Sequence, residues 1–329
     1  MISKVSFQMN RSGKLSAALD TSRVANLPSV ISNVWLGVAI GTIYEQGFPS
    51  SGNIVLWSVF LRLSVAGAML YIAGNFLNDW ADQEWDKEHR SERALPRGLF
   101  SSNSYAWVSA LLTLSGIAMA WTVSRTSACA ASVIVVCIGL YTYGHKRCLW
   151  AVIPMGLCRA LLPLLGIFAF TNLLSSKCIH HGLLVLSICA SLGIFCYIVG
   201  LTLAARYEST SEPPIWISLV ARGLLLVTPI LLAWGNKGLF IDQKLIIAGT
   251  LPYLLWTSLC LRFRRRPVKR FISGLLAGIP FVDWAILLPL ALALSATSSG
   301  WGPFPILCAA IPPLAFLASL LLQRFTPAT

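Results

Sequence analysis

Residues 75–98 read NFLNDWADQEWDKEHRSERALPRG, and they follow the apolar run LRLSVAGAMLYIAG at 61–74. The stretch holds Asp79, Asp82, Glu84, Asp86, Glu88 and Glu92, half of the chain's 12 acidic residues. It also holds Lys87, Arg90, Arg93 and Arg97. A cluster of acids at the end of an apolar helix needs a physical reason, and the rest of the chain narrows it.

The 329 residues are 56% hydrophobic and 11% charged, with a mean hydropathy of +0.73. A soluble domain carries about 25% charged residues. This composition predicts an all-α polytopic membrane protein, because backbone groups in lipid need partners within the segment. Apolar runs of spanning length occur near 27–44, 54–77, 105–123, 127–144, 151–171, 182–204, 215–234, 244–261, 272–294 and 303–323. The reading is a bundle of roughly nine to ten helices, the last two being the ambiguous ones.

Lys and Arg set the orientation. With the N-terminus in the cytoplasm, the inner segments collect most of the bases, including RFRRRPVKR at 262–270. The outer loops hold Arg125, Lys177, Lys237 and Lys244. The acidic stretch then faces the cytoplasm, and the net charge of +13 needs no nucleic-acid partner. Residues 1–26 read as a disordered basic cytoplasmic leader, and 27–324 as one membrane-embedded domain with cytoplasmic caps at 79–104 and 205–214. The 9 cysteines are scattered with no C-x-x-C pair, so they behave as small apolar residues and not as a disulfide framework.

On a helix, Asn78, Asp82 and Asp86 share one face with about 6 Å of rise between neighbours. Adjacent carboxylates repel unless a cation stands between them. All-oxygen ligands suit Mg²⁺, and no His or Cys shares the face to favour zinc. A solvated, mixed-charge loop is the alternative reading of these residues.

NDWADQEWDKEHRSERALPRG resembles the first aspartate-rich signature of the UbiA superfamily of intramembrane prenyltransferases. That signature is N-x-x-x-D-x-x-x-D followed by an R-P-L-P-x-G-like run. Asn78, Asp82 and Asp86 match its defining positions, Asp79 a common extra one, and Arg93–Gly98 the tail, with Ala94 where Pro is usual. YTYGHKR resembles the family's Y-x-x-x-x-K-R, giving Tyr141, Lys146 and Arg147. The resemblance implies a helical bundle around a central lipid-accessible cavity. It also implies transfer of an isoprenoid chain from a prenyl diphosphate, aided by Mg²⁺, to a small lipophilic acceptor. Catalytic roles fall on Asp82, Asp86, Tyr141 and Lys146, and metal ligation on Asn78, Asp82, Asp86 and Glu208. Diphosphate contacts fall on Arg93, Lys146, Arg147, Arg159 and Arg206.

The second aspartate motif expected after the sixth span is altered. YIVGLTLAARYESTSEPP offers Glu208 and Glu212, with Arg206 intruding, and this resembles the EboC-like branch. A terpene cyclase and a carrier that binds a polyisoprenoid without chemistry are the alternatives the sequence leaves open. Arg62, Arg159, Arg222, Asp283 and Asn33 lie within spans, where polar groups mark cavities or pair with one another. Arg62 and Arg222 are read as snorkelling or as partners of Asp283.

Overall fold

The computed structural model describes residues 13–46, 54–170, 181–206, 214–262, 268–297 and 301–326. Among them, 10 helices are long and apolar enough to cross a membrane, in the expected places. The chain is an integral, multi-pass membrane protein.

The helices are α1 (13–22), α2 (Leu27–Gln46), α3 (Ile54–Ala81), α4 (Gln83–His89), α5 (Ser102–Trp121), α6 (Arg125–Gly144), α7 (Val152–Ala160), α8 (Leu162–Phe170), α9 (His181–Arg206), α10 (Ile215–Lys237), α11 (Gln243–Leu261), α12 (Val268–Ala277), α13 (Ile279–Thr297) and α14 (Pro303–Leu322). Their inward faces bury Trp35, Leu63, Leu70, Leu165, Leu186 and Ile194. Outward faces expose Leu61, Leu111, Val136, Ile230 and Leu255, as lipid contact requires.

Two spans are broken where proline intrudes. The fifth, read as one segment, is α7 and α8 with a break at Leu161, just ahead of Pro163. The ninth is α12 and α13 with a break at Gly278, just ahead of Pro280. Proline cannot donate to the preceding turn and fits best at a helix start. Arg159 sits two residues before the first break. α8 lies against α2 at Gly37 and Gly166, where a β-carbon on either residue would overlap the backbone of the other helix. Small residues at such a crossing let helix backbones meet in lipid.

The leader expectation fails over 13–22. These residues are helical, and Ala17 and Thr21 are buried. Ala17 packs with Phe76, Ala94 and Tyr105, and Thr21 Oγ1 bonds the Tyr105 hydroxyl at 2.8 Å. The docked helix ends at Arg23, which adopts left-handed backbone geometry (φ 47°, ψ 51°). A non-glycine residue pays about 1–2 kcal/mol for that conformation, and here it places the Arg23 side chain beside α3.

α3 is long: 28 residues, or about 42 Å against a hydrocarbon core of about 30 Å. Its last turns therefore extend beyond the apolar layer, which is where the acidic stretch begins.

Candidate active site

The end of α3 carries the expected face. Asp82 N bonds Asn78 O at 3.0 Å and Asp86 N bonds Asp82 O at 2.8 Å, so the helical pitch runs on from α3 into α4 despite the turn at Asp82. Asn78, Asp79, Asp82 and Asp86 are all buried. Asn78 Nδ2 donates to Asp82 Oδ2 at 3.3 Å.

The segment after α4 folds back onto this face. Gly98 N bonds Leu95 O with Gly98 at φ 67°, and Leu99 N bonds Ala94 O. The left-handed turn is cheap for glycine, and it seats Ala94 against Phe76 and Tyr105. Arg93 is thereby brought over the aspartates. Its Nη1 lies 2.9 Å from both Asp79 Oδ1 and Asp86 Oδ2.

α6 supplies the opposite side. Past Gly144 the chain turns, and Lys146 Nζ lies 3.0 Å from Asp82 Oδ1 and 3.9 Å from Asp86 Oδ1. The ammonium stands between two carboxylates, as their mutual repulsion demands. It also lies 3.7 Å from the centre of the Trp85 ring. His145 Nε2 is 3.0 Å from Asp82 Oδ2, and its Nδ1 is 3.1 Å from Thr142 O. Both partners are acceptors. Burial pushes the Asp82 carboxyl up, but the bonds and charges of His145 and Lys146 outweigh it and hold the group below the usual carboxylate range. Burial lowers the Arg23 guanidinium, and Asp79, 3.9 Å away, together with Tyr71, Tyr141 and Asp82 more than offsets this.

Beneath the aspartates lies a cavity of about 80 Å³. Arg23, Tyr71, Asn75, Asn78, Tyr141 and Arg159 give it polar edges, and Leu70, Ile134, Ile138, Met155 and Leu162 an apolar body.

The other expected residues fall differently. Tyr141 lines the cavity and stacks on His145, ring centres 5.1 Å apart. Arg147 turns away, its guanidinium 5.3 Å from the centre of the exposed Tyr143 ring. Arg206 Nη1 donates to two backbone carbonyls, His145 O at 2.7 Å and Cys148 O at 3.1 Å. Glu208 and Glu212 lie outside the described residues. Arg62 bonds Ser58 and Thr122, and Arg222 bonds Ser218. Neither pairs with Asp283, which instead accepts from Ser32 Oγ at 2.5 Å and Asn33 Nδ2 at 2.9 Å. The short polar side chains of α2 already satisfy that carboxylate.

The reading of the sequence missed Arg23 and His145. His145 lies inside the YTYGHKR run, so its proximity to Lys146 was a usable signal. Arg23 had none, because its position depends on α1 docking.

The UbiA prenyltransferase family model matches residues 34–212, which contain the aspartate face, Arg93, the α6 turn and Arg206. The chain belongs to the UbiA prenyltransferase family. Digeranylgeranylglyceryl phosphate synthase of Thermococcus kodakarensis is 32% identical over 111 residues, 34% of this chain and 38% of that protein. The synonymous protein of Thermococcus gammatolerans is 32% identical over 107 residues, 32% and 37% of the two chains. The chain thus matches less than two-fifths of the length of these relatives. A UbiA homologue from Archaeoglobus fulgidus bound to Cd²⁺ shares the fold with a TM-score of 0.53 at 13% identity, over 82% of this chain and 99% of that one. A digeranylgeranylglyceryl phosphate synthase structure does so at 0.50 and 18% identity, over 94% and 96%.

Among the described residues, no group of three or more His, Cys, Asp or Glu side chains is arranged to hold a metal unaided. The donor set nevertheless fits Mg²⁺. Asn78 Oδ1 and Asp86 Oδ1 are buried with no hydrogen-bond partner among the described residues. Orphaned oxygens of this kind are costly and rare. Both belong to the same face, and hard oxygen donors are what Mg²⁺ prefers.

Proposed function

We propose that this UbiA-family protein transfers an isoprenoid chain from a prenyl diphosphate to a small lipophilic acceptor, using Mg²⁺ at its aspartate face. The observation that carries the reading is the pair of orphaned oxygens, Asn78 Oδ1 and Asp86 Oδ1, on the face that closes an amphipathic cavity. Asn78, Asp82 and Asp86 would hold the ion, which neutralises charge on a diphosphate leaving group. Its second set of ligands, with Glu208 as a member, remains part of the proposal.

Within this reading the chain's own residues divide the work. Arg93 and Lys146 bind the diphosphate and orient it over the aspartates; both reach the face on long side chains that can exchange carboxylate for phosphate oxygen. Tyr141 and Tyr71 border the cavity where the allylic carbon lies, and Leu70, Ile134, Ile138 and Leu162 hold the hydrocarbon and exclude water. The allylic C–O bond breaks with its electron pair leaving on diphosphate. The acceptor's nucleophilic atom forms the new bond to that carbon, and its proton leaves to diphosphate or water. The aspartate face looks into the cytoplasm, as the distribution of Lys and Arg favours.

Purified protein with Mg²⁺ and geranyl or geranylgeranyl diphosphate should release diphosphate when a lipophilic acceptor is added. Release without any acceptor, with a cyclised hydrocarbon as product, would make the protein a cyclase. Tight binding with no release would make it a carrier.

A further inference from the structure

Lys146 has two kinds of partner. Its ammonium lies 3.0 Å from Asp82 and 3.9 Å from Asp86, and it sits 3.7 Å from the centre of the Trp85 ring. Trp85 precedes Asp86 on α4, at a position that the N-x-x-x-D-x-x-x-D spacing leaves open. The face of an indole carries negative potential and attracts a cation, more strongly than the other aromatic rings do.

The ring itself is fixed. Trp85 and His89 stand four residues apart on α4, so their side chains meet. The two rings stack with centres 4.1 Å apart and planes 2° from parallel, and His89 Nδ1 lies 3.0 Å from Trp85 O. The imidazole and the Lys146 ammonium are both too close to the indole to share one face, so each takes one. Trp85 keeps 40% of its surface exposed. It packs as a cover over Lys146 and not as part of the core.

The two kinds of partner respond differently to a metal. A carboxylate that ligates Mg²⁺ spends its charge and lone pairs on the ion, and its hold on a neighbouring ammonium weakens. The indole neither ligates Mg²⁺ nor titrates, so its hold survives loading of the aspartates. Arg159, deeper in the cavity, also rests on neutral groups. Its Nη1 donates to Ser29 Oγ at 3.1 Å and to Asn33 Oδ1 at 3.5 Å, and its guanidinium lies 5.0 Å from the centre of the Tyr71 ring. Asn33 in turn gives its amide nitrogen to Asp283. Arg93, by contrast, rests on the carboxylates of Asp79 and Asp86.

We infer that Trp85 is a positioning residue for Lys146: its ring keeps the ammonium over the aspartates when they are loaded, so that the cation meets the diphosphate instead of swinging out to water. This rests on the reading of the aspartate face as the diphosphate site and deepens it. Trp85 acts through Lys146 and not on the reacting atoms.

The test is binding of geranylgeranyl thiolodiphosphate, whose C–S bond resists ionisation, to the full chain in neutral detergent with Mg²⁺, read by isothermal titration. Trp85→Leu keeps an apolar side chain and removes the ring. Affinity should fall about tenfold, within the range of one partly desolvated contact between a cation and a ring. Trp85→Phe keeps a weaker ring and should lose about threefold. The decisive arm is the Lys146→Met background, where neither change should matter by more than about 1.5-fold, because the group they act through is gone. A Trp85 that merely supports α4 would cost the same in both backgrounds and would not follow the order Trp, Phe, Leu. Either of those results overturns the inference, as does a Trp85→Leu protein that binds like the parent. Should Trp85→Leu fail to fold, Trp85→Phe carries the same cycle, with its threefold loss expected in the parent and absent from the Lys146→Met background. A parent protein that does not bind the analogue overturns the aspartate-face reading as well, whereas a parent that binds it with no dependence on Trp85 overturns this inference alone.

Discussion

Two polar clusters border one cavity, and they are built in opposite ways. The aspartate cluster lies where a long helix leaves the apolar layer. Its members come from neighbouring turns of α3 and α4, from the loop that follows, and from the end of α6. Each of its carboxylates meets a cation directly, Arg93 or Lys146 at 2.9–3.0 Å. The Arg159 cluster lies within the bundle. Its members come from α2, α7 and α13, and its charges meet only through an amide. The difference teaches what each is suited to. Cations on long, partly exposed side chains can leave a carboxylate for a phosphate. A fully buried carboxylate clamped by Ser32 and Asn33 cannot move, and serves to hold its neighbours.

The comparison predicts a division between activity and stability. Its sharpest test is Asp82→Asn with Asp86→Asn. Diphosphate release should fall by about 10²–10³-fold or more, since charge stabilisation of a leaving group accounts for several kcal/mol. The melting temperature should change little, because Lys146 and Arg93 can turn to water. A double variant that turns over normally would remove the aspartate face from the chemistry. Arg93→Gln comes next, with a loss of roughly tenfold to a hundredfold in kcat/KM, because one guanidinium serves both Asp79 and Asp86 and its charge-assisted bonds are the strong kind.

Asp283→Ala inverts the pattern. It strands Arg159 without its balancing charge and leaves Asn33 Nδ2 and Ser32 without their acceptor. Removing one partner of a buried charge pair costs about 3–5 kcal/mol. Thermal unfolding in detergent should therefore shift down by several degrees, far more than for the aspartate double variant. Equal melting temperatures for the two would erase the distinction drawn between the clusters.

The two clusters also differ in how much of them the sequence displays. The aspartate face was legible because one helix carries it: a four-residue beat needs no knowledge of the fold. Lys146 was legible from the run that resembles the family's own. The spans were legible from length and hydropathy alone, though the breaks at Leu161 and Gly278 went unread despite Pro163 and Pro280 standing just beyond them. Arg159, Asn33 and Asp283 were each visible as polar residues within spans. Their partnership was not, since it joins residues 126 and 250 positions apart and depends on how three helices pack. Arg62 and Arg222 were equally plausible partners for Asp283 on paper, and local serines satisfied them first. Arg23 was hidden for a related reason: a basic, polar N-terminal segment gives no sign that Ala17 and Thr21 will find a pocket against Tyr105.

The smallest expected effect concerns Arg206, where motif and geometry disagree most. Its place in the altered second motif suggested a phosphate contact. Its guanidinium instead fastens the carbonyls of His145 and Cys148, the ends of the turn that carries Lys146. In this position it acts on the aspartates through another residue. Arg206→Ala should release that turn, so that Lys146 and His145 meet Asp82 less often. The loss should be about tenfold, borne mainly by KM for the prenyl diphosphate, since two hydrogen bonds of about 1 kcal/mol each are removed at a distance from the reacting bond. Arg206→Lys should recover little, because one ammonium cannot reproduce a planar fork bridging two carbonyls. Guanidinium added at millimolar concentration to Arg206→Ala should restore part of the activity if positioning is the role, and the same addition should leave Arg93→Gln unimproved. Arg147→Ala, whose side chain lies over Tyr143, supplies the baseline and should stay within about twofold of the parent protein, as surface substitutions do. If Arg206→Ala instead collapses kcat as far as the aspartate double variant does, Arg206 touches the diphosphate directly, and the two carbonyls are where it rests between turnovers.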